Sequence, residues 1–167
     1  VSRISALTAD QVSYLTQKQI NSLSGTQVAA LTHDQISNIT PKAFAGLSTS
    51  GIPAISALTI GASPAITTAK LRALTSIQLE SITQAQVAVF STEVTDWLYS
   101  KGYTVITGGT GLGIKTTSNV NIGGTDALTI TSGKLAVSVT ASLGDDVITT
   151  NLGNDTIVSG GGRDTIE

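Results

Sequence analysis

The sequence predicts an α+β chain: an N-terminal solenoid of short capped helices built from eight-residue repeats, followed by a parallel β-roll or β-solenoid. Three observations carry this. A Leu-Thr-x-x-Gln-(Ile/Val)-x-x unit recurs every eight residues near the start. Past Lys101 the chain turns into short Thr/Val/Ile runs separated by Gly, Asn, Asp and Ser, which are strand and turn signals. From Ala141 to Glu167 it divides into three nine-residue units with Gly, Asp and Ile at fixed places. The expected domains are residues 1–100, helical, and 101–167, β.

The octads are LTADQVSY from Leu7, LTQKQINS from Leu15, LSGTQVAA from Leu23 and LTHDQISN from Leu31, with a weaker ITPKAFAG from Ile39. A single long helix is excluded, because eight residues overshoot two α-helical turns by roughly 80° and the apolar stripe would wind around the axis. Thr8 with Gln11, Thr16 with Gln19, Ser24 with Gln27 and Thr32 with Gln35 each spell the S/T-x-x-E/Q capping box, so every octad starts its own helix. Leu7 with Val12, Leu15 with Ile20, Leu23 with Val28 and Leu31 with Ile36 then fall at the two positions of a hydrophobic staple. Helices of about six residues are marginal alone and become stable by stacking on neighbouring units.

Between Ser48 and Pro64 the pattern breaks, with Gly51, Pro53, Gly61 and Pro64 as punctuation. The spacing reads as a three-residue insertion at Ile55 to Ala57 and a new frame from Leu58 through Ile66, Leu74, Ile82, Phe90 and Leu98, with capping boxes at Thr75–Gln78 and Thr83–Gln86.

In the β half, Ile106, Ile114, Ile122 and Ile130 keep the spacing of eight, and Val139, Ile148, Ile157 and Ile166 continue at nine. This predicts one repeating inward position and a parallel β-solenoid from about Lys101. Trp97, Leu98, Tyr99 and Tyr103 gather the scarce aromatics at the boundary and read as a plug between the halves.

The closing units are ASLGDDVIT, TNLGNDTIV and SGGGRDTIE: Gly144, Gly153 and Gly162 at the fourth place, Asp146, Asp155 and Asp164 at the sixth, Ile148, Ile157 and Ile166 at the eighth. Side chains two apart share a face of a strand, so each Asp lies on the side of its Ile, at the junction of strand and turn. A carboxylate in that position is costly without a partner. A hard divalent cation held by carboxylates and backbone carbonyls supplies one.

That register resembles the repeat-in-toxin (RTX) pattern G-G-x-G-x-D-x-U-x of calcium-binding parallel β-rolls in bacterial secreted proteins. The resemblance implies two turns per coil, with Ca2+ between turns eighteen residues apart. It implies one complete site at Asp146 and Asp164, with carbonyls from Leu143, Gly144, Gly161 and Gly162, and a half-site at Asp155, whose counterpart eighteen residues back is Val137. The leading glycines of the pattern are replaced by Ala141-Ser142, Thr150-Asn151 and Ser159-Gly160. The octads belong to no recognised family. Their opening is similar to the first helix of transcription-activator-like DNA-binding repeats, but the period is too short and the phosphate-binding bases are missing.

Composition bounds the function. The 167 residues carry a net charge of -2 and no Cys, which gives no field for nucleic acid and removes disulfides and thiol chemistry. From Asp145 onward five acidic residues face the single base Arg163, so the tail attracts cations. No apolar run is long enough to span a bilayer, and the start at Val1 without a leader reads as a fragment of something longer. His33 occupies a helix-surface place and reads as solvated. GGTGLGIKT, from Gly108 to Thr116, nearly spells a phosphate loop but lacks the following helix. No G-x-S-x-G or H-E-x-x-H motif occurs.

The expectation is a non-enzymatic, calcium-binding structural or adhesion segment of a secreted or cell-surface bacterial protein, folding on calcium outside the cell. Two alternatives are an accessory module of a type I secreted hydrolase and a surface-layer module binding glycan or protein through its octad face. End-to-end self-association would complete the half-site.

Overall fold

The computed structural model describes residues 3–60 and 65–167; the expected turn residues Gly61 and Pro64 lie outside them. The chain forms two compact units, residues 1–82 with 89–91 and residues 83–88 with 92–167.

In the first unit, 3₁₀ turns at Arg3–Ala6 and Ile52–Ala54 accompany helices α1 (Ala9–Ser13), α2 (Gln17–Asn21), α3 (Gly25–Ala29), α4 (His33–Asn38), α5 (Pro41–Phe44), α6 (Ala57–Ile60), α7 (Thr68–Ala73) and α8 (Ser76–Glu80). Each octad is a separate helix. Thr8, Thr16, Ser24, Thr32 and Thr75 sit at extended N-cap positions with both bonds of the capping box formed. Such a cap contributes typically about 1 kcal/mol, which matters for helices of four to six residues that would not persist alone.

The staple residues form the core. The sixth place of the octad is buried from Val12 to Ile60 at every eighth residue, then at Leu71 and Leu79. α1 packs on α4, α2 on α5, α3 on the Ile52–Ala54 turn, α4 on α6 and α5 on α7. Two glutamines tie these pairs together. Gln35 Nε2 donates to the carbonyls of Ile4 (3.2 Å) and Leu7 (2.7 Å), and Gln78 Nε2 to those of Ala45 (3.0 Å) and Leu47 (2.7 Å). The side-chain oxygen closes the cap, and the amide nitrogen remains to bind carbonyls at or beyond the ends of other helices, where the intrahelical ladder runs out of donors.

Two expectations are corrected here. The frame does not restart at Leu58, whose side chain is 91% exposed, while Ile55 (2%) and Ile60 (1%) are buried. Ser56 precedes α6, its hydroxyl accepting from Leu58 N and its carbonyl from Ile60 N. The octad frame therefore runs unbroken through Ile55, and the three extra residues fall between Ile60 and Leu71. The pair Leu58–Thr59 imitates the opening of a repeat. His33 is half-buried rather than solvated: Nδ1 lies 2.8 Å from the carbonyl of Thr59, because α4 packs on α6.

The second unit contains α9 (Gln84–Val87), α10 (Thr92–Ser100) and eight strands: β1 (Thr104–Thr107), β2 (Ile114–Lys115), β3 (Asn119–Asn121), β4 (Thr129–Thr131), β5 (Ser138–Thr140), β6 (Val147–Thr149), β7 (Thr156–Val158) and β8 (Thr165–Ile166). Thr83 and Gln86 cap α9 with the expected box. Trp97 and Tyr103 meet edge to face, with ring centroids 6.2 Å apart. Helix gives way to strand between Ser100 and Thr104, where the composition changes.

Successive strands from β3 alternate between two sheets, ordered β2-β1-β4-β6-β8 and β3-β5-β7. Parallel pairing aligns Ile130, Ile148 and Ile166 in one and Val120, Val139 and Ile157 in the other. From β4 onward paired residues are eighteen apart. Ile106, Val120, Leu128, Ile130, Val137, Val139, Ala141 and Ile148 form the core between the sheets.

The parallel stack does not begin at Lys101. β1 runs antiparallel to both β2 and β4; for β2 the reason is that the segment joining it to β1 is far shorter than the dozen or more residues a parallel crossover needs. In β3 it is Val120 that pairs in register with the inward Val139, while Ile122, two residues on, is only half-buried against the same core, so the spacing of eight through Ile122 does not follow the stacked position. The loop after β1 is no phosphate cradle: Gly109 N donates to Gln84 Oε1 (2.6 Å) and Gly111 O accepts from Gln84 N (2.9 Å).

Candidate metal centre: the stacked nonapeptide turns

From β2 onward the strands are only two or three residues long, so about two thirds of each nonapeptide is turn. The eighteen-residue register places turns in columns. One column stacks residues 122–128, 140–146 and 158–164; the opposite column stacks 131–137 and 149–155. Asp146 and Asp164 belong to the first column and Asp155 to the second.

Every sixth-place carboxylate reaches back one coil to a backbone N–H. Asp164 Oδ1 accepts from Asp146 N (3.1 Å), Asp146 Oδ1 from Leu128 N (2.9 Å) and Asp155 Oδ1 from Val137 N (3.0 Å). The three differ in environment. Asp146 is 1% exposed, and its Oδ2 accepts from Ser142 N at 3.0 Å. Asp164 and Asp155 are half-buried. Among the described residues, Oδ2 of Asp164 accepts no hydrogen bond. Asp145, at the fifth place, accepts from Arg163 N at 2.8 Å.

The turns close because glycine stands where carbonyls crowd. Gly160 and Gly162 have φ of +90° and +101°, a region that L side chains avoid. A Cβ at Gly160 would strike the carbonyl oxygen of Ser142, and one at Gly162 that of Gly144. The oxygens of one turn thus face the next turn across a gap that any larger residue would fill.

Of the predicted ligands, Gly144 and Gly162 meet in this way, with Asp164 at the same level. Leu143 and Gly161 are stacked as well, Leu143 directing its N–H to the Gly124 carbonyl (2.9 Å). Asp155 lies apart, on the other column.

The donor set suits a hard cation. Carboxylate and carbonyl oxygens are the ligands calcium prefers. Among the described residues no three His, Cys, Asp or Glu side chains come together, so backbone carbonyls must supply most of a calcium shell here. Sequence reasoning overlooked Ser142 and Asp126. Ser142 Oγ lies within 3.0 Å of both Asp146 carboxylate oxygens and 2.8 Å from the Asp126 carbonyl. The signal was a serine in place of the second glycine of the pattern.

Residues 138–166 match the family described as RTX calcium-binding nonapeptide repeat (4 copies). This segment is a run of calcium-binding repeats. No curated protein and no solved structure matches the chain significantly. None of the helices among the described residues is long and apolar enough to cross a membrane.

Proposed function

We propose that the chain is a non-enzymatic, calcium-stabilised structural segment of a secreted or cell-surface protein, in which a coil of octad helices carries a β-roll that folds around calcium outside the cell. The single observation behind this is the column of turns at residues 140–146 and 158–164, where glycines with positive φ admit facing carbonyls beside Asp164. Asp164 would hold the ion, with the carbonyls of Leu143, Gly144, Gly161 and Gly162; Asp146, whose two carboxylate oxygens accept from Leu128 N and Ser142 N, flanks the site through its backbone, and Asp155 would contribute a half-site on the other column. The ion supplies charge that offsets the clustered oxygens.

Three features support the helical part as a solenoid: the constant octad, the pairing of α1 with α4 and α2 with α5, and glutamine bonds spanning 28 to 33 residues. A coil of about three octads follows from the pairing of helices three units apart. Repeat stacks of this kind offer long surfaces to partners, consistent with an adhesive role toward a surface glycan or protein.

Export explains the calcium dependence. At low cytosolic calcium the roll loses the ligand that stabilises it and stays loose; outside, mass action favours the folded form. The test is calorimetric titration of the intact chain with calcium, beside Asp164→Ala. Saturable heat from the native chain that weakens at least tenfold in the variant supports the reading. Equal heats from the two chains would remove Asp164 from the site.

A further inference from the structure

We propose that the Ser142 hydroxyl takes, between the turns 122–128 and 140–146, the place that calcium takes one coil further on, so that this pair of turns closes without a metal. The inference rests on the calcium reading above and concerns how the column divides between metal-bound and metal-free rungs.

Ser142 is buried, and its Oγ stands between two coils. It lies 2.8 Å from the Asp126 carbonyl, 3.0 and 2.9 Å from Asp146 Oδ1 and Oδ2, and accepts from Gly144 N at 3.1 Å. Three of these four neighbours are the oxygen types that hold calcium: both oxygens of one carboxylate and a carbonyl of the preceding turn. The hydroxyl fills the space that an ion bridging them would need. Its single proton serves one acceptor at a time. The rest of the Asp146 charge is met by Leu128 N and Ser142 N, at 2.9 and 3.0 Å, and such charge-assisted bonds to backbone N–H groups are strong.

The second place of the nonapeptide behaves consistently elsewhere. In the opposite column Asn151 occupies it, and its side-chain Nδ2 donates to the Ser132 carbonyl one coil back. In the third unit the place belongs to Gly160, which has no side chain to offer. Its turn faces the carbonyl oxygens of Gly144 and of Ser142, the latter accepting from Gly161 N at 3.2 Å. A polar side chain at the second place therefore marks a rung closed by protein atoms, and glycine there marks a rung left for calcium.

The test uses the intact chain, Ser142→Gly and Ser142→Ala, with two readouts: calcium stoichiometry by calorimetry, and melting in excess chelator followed by fluorescence of Trp97. Ser142→Gly is expected to bind one calcium more than the native chain. Both variants should melt about 5 °C lower than the native chain in chelator, and saturating calcium should restore the glycine variant most. If Ser142→Gly does not fold in chelator, its refolding on calcium addition supports the proposal, and Ser142→Ala still reports the metal-free loss. Native calcium binding with an unchanged stoichiometry in Ser142→Gly, or with no loss in chelator for either variant, overturns this proposal alone. Absence of calcium uptake by the native chain overturns the calcium reading beneath it.

Discussion

Gln35 Nε2 donates to the Leu7 carbonyl at 2.7 Å, 28 residues earlier in the chain, while Oε1 of the same amide accepts from Thr32 N at 2.9 Å. One side chain caps its own helix and binds another. Gln19 has the same cap but is exposed. Gln35→Leu should therefore cost about 2–3 kcal/mol, since the half-buried Leu7 carbonyl loses its partner along with the cap. Gln19→Leu should cost about 1 kcal/mol or less. Urea unfolding measures both, and equal losses would mean that the long-range bond contributes nothing.

Lys70 is the one buried cation among the described residues, 3% exposed. Its ammonium donates to the carbonyls of Ile36 (2.8 Å), Ser37 (2.8 Å) and Ala65 (2.7 Å) and lies 5.9 Å from the centroid of the Phe44 ring. It thus satisfies carbonyls of the last turn of α4, where a positive charge is also favoured by the helix dipole. Lys70→Met keeps the apolar stem and loses the bonds, at an expected cost of roughly 1–3 kcal/mol at pH 7.

The pH dependence of that difference has a definite sign. Burial lowers the Lys70 pKa from 10.5 to about 8. Between those values the unfolded chain binds more protons at this site than the folded chain, so the native protein gains stability as pH rises from about 8 to 10.5 and loses it again as pH falls through 8. Chemical denaturation across pH 7–11 should show the native chain gaining relative to Lys70→Met in that window. A flat difference would mean that the folded pKa is not depressed.

Leu58 and Ile60 test the octad frame. Leu58→Ser, at a 91% exposed position, should leave stability within about 0.5 kcal/mol. Ile60→Ala, at 1% exposure, should cost about 2–5 kcal/mol. A large loss from Leu58→Ser would restore Leu58 as a core position.

Asp146 and Asp164 should separate by condition. Asp146→Ala removes a buried carboxylate from Leu128 N and Ser142 N, so melting falls even in chelator. Asp164→Ala gives up only the part-buried bond from Asp146 N, so it should lose less than Asp146→Ala in chelator and lose most of the rise that calcium produces. Melting of both variants with and without calcium distinguishes them.

The local chemistry of the first half was legible because each helix carries its own start signal. A Thr or Ser followed three places later by Gln is a short-range instruction, and the boxes at Thr8, Thr16, Ser24, Thr32, Thr75 and Thr83 all form. The position of the insertion was misread because Leu58–Thr59 imitates a repeat opening, whereas burial selects the frame that places Ile55 and Ile60 inside. The direction of β1 and the role of Val120 were illegible for a different reason. Strand polarity depends on the length of the connecting loop and on distant pairing, and Ile122 lies only two residues from Val120, on the same face of an extended segment. In the tail, the Asp ladder followed from the nonapeptide, and its eighteen-residue register from the resemblance to RTX rolls. The burial of Asp146 under Ser142 did not, because it depends on a substitution within the pattern.

The most direct test of the central claim is the melting temperature of the second unit, read from Trp97, the only tryptophan in the chain, in chelator and then with calcium a hundredfold above its dissociation constant. The calcium-bound chain should melt about 15 °C higher, as expected from a ligand contributing about 2.7 kcal/mol to a unit of this size. A melting temperature that calcium leaves unchanged, with magnesium as the control, would contradict the account.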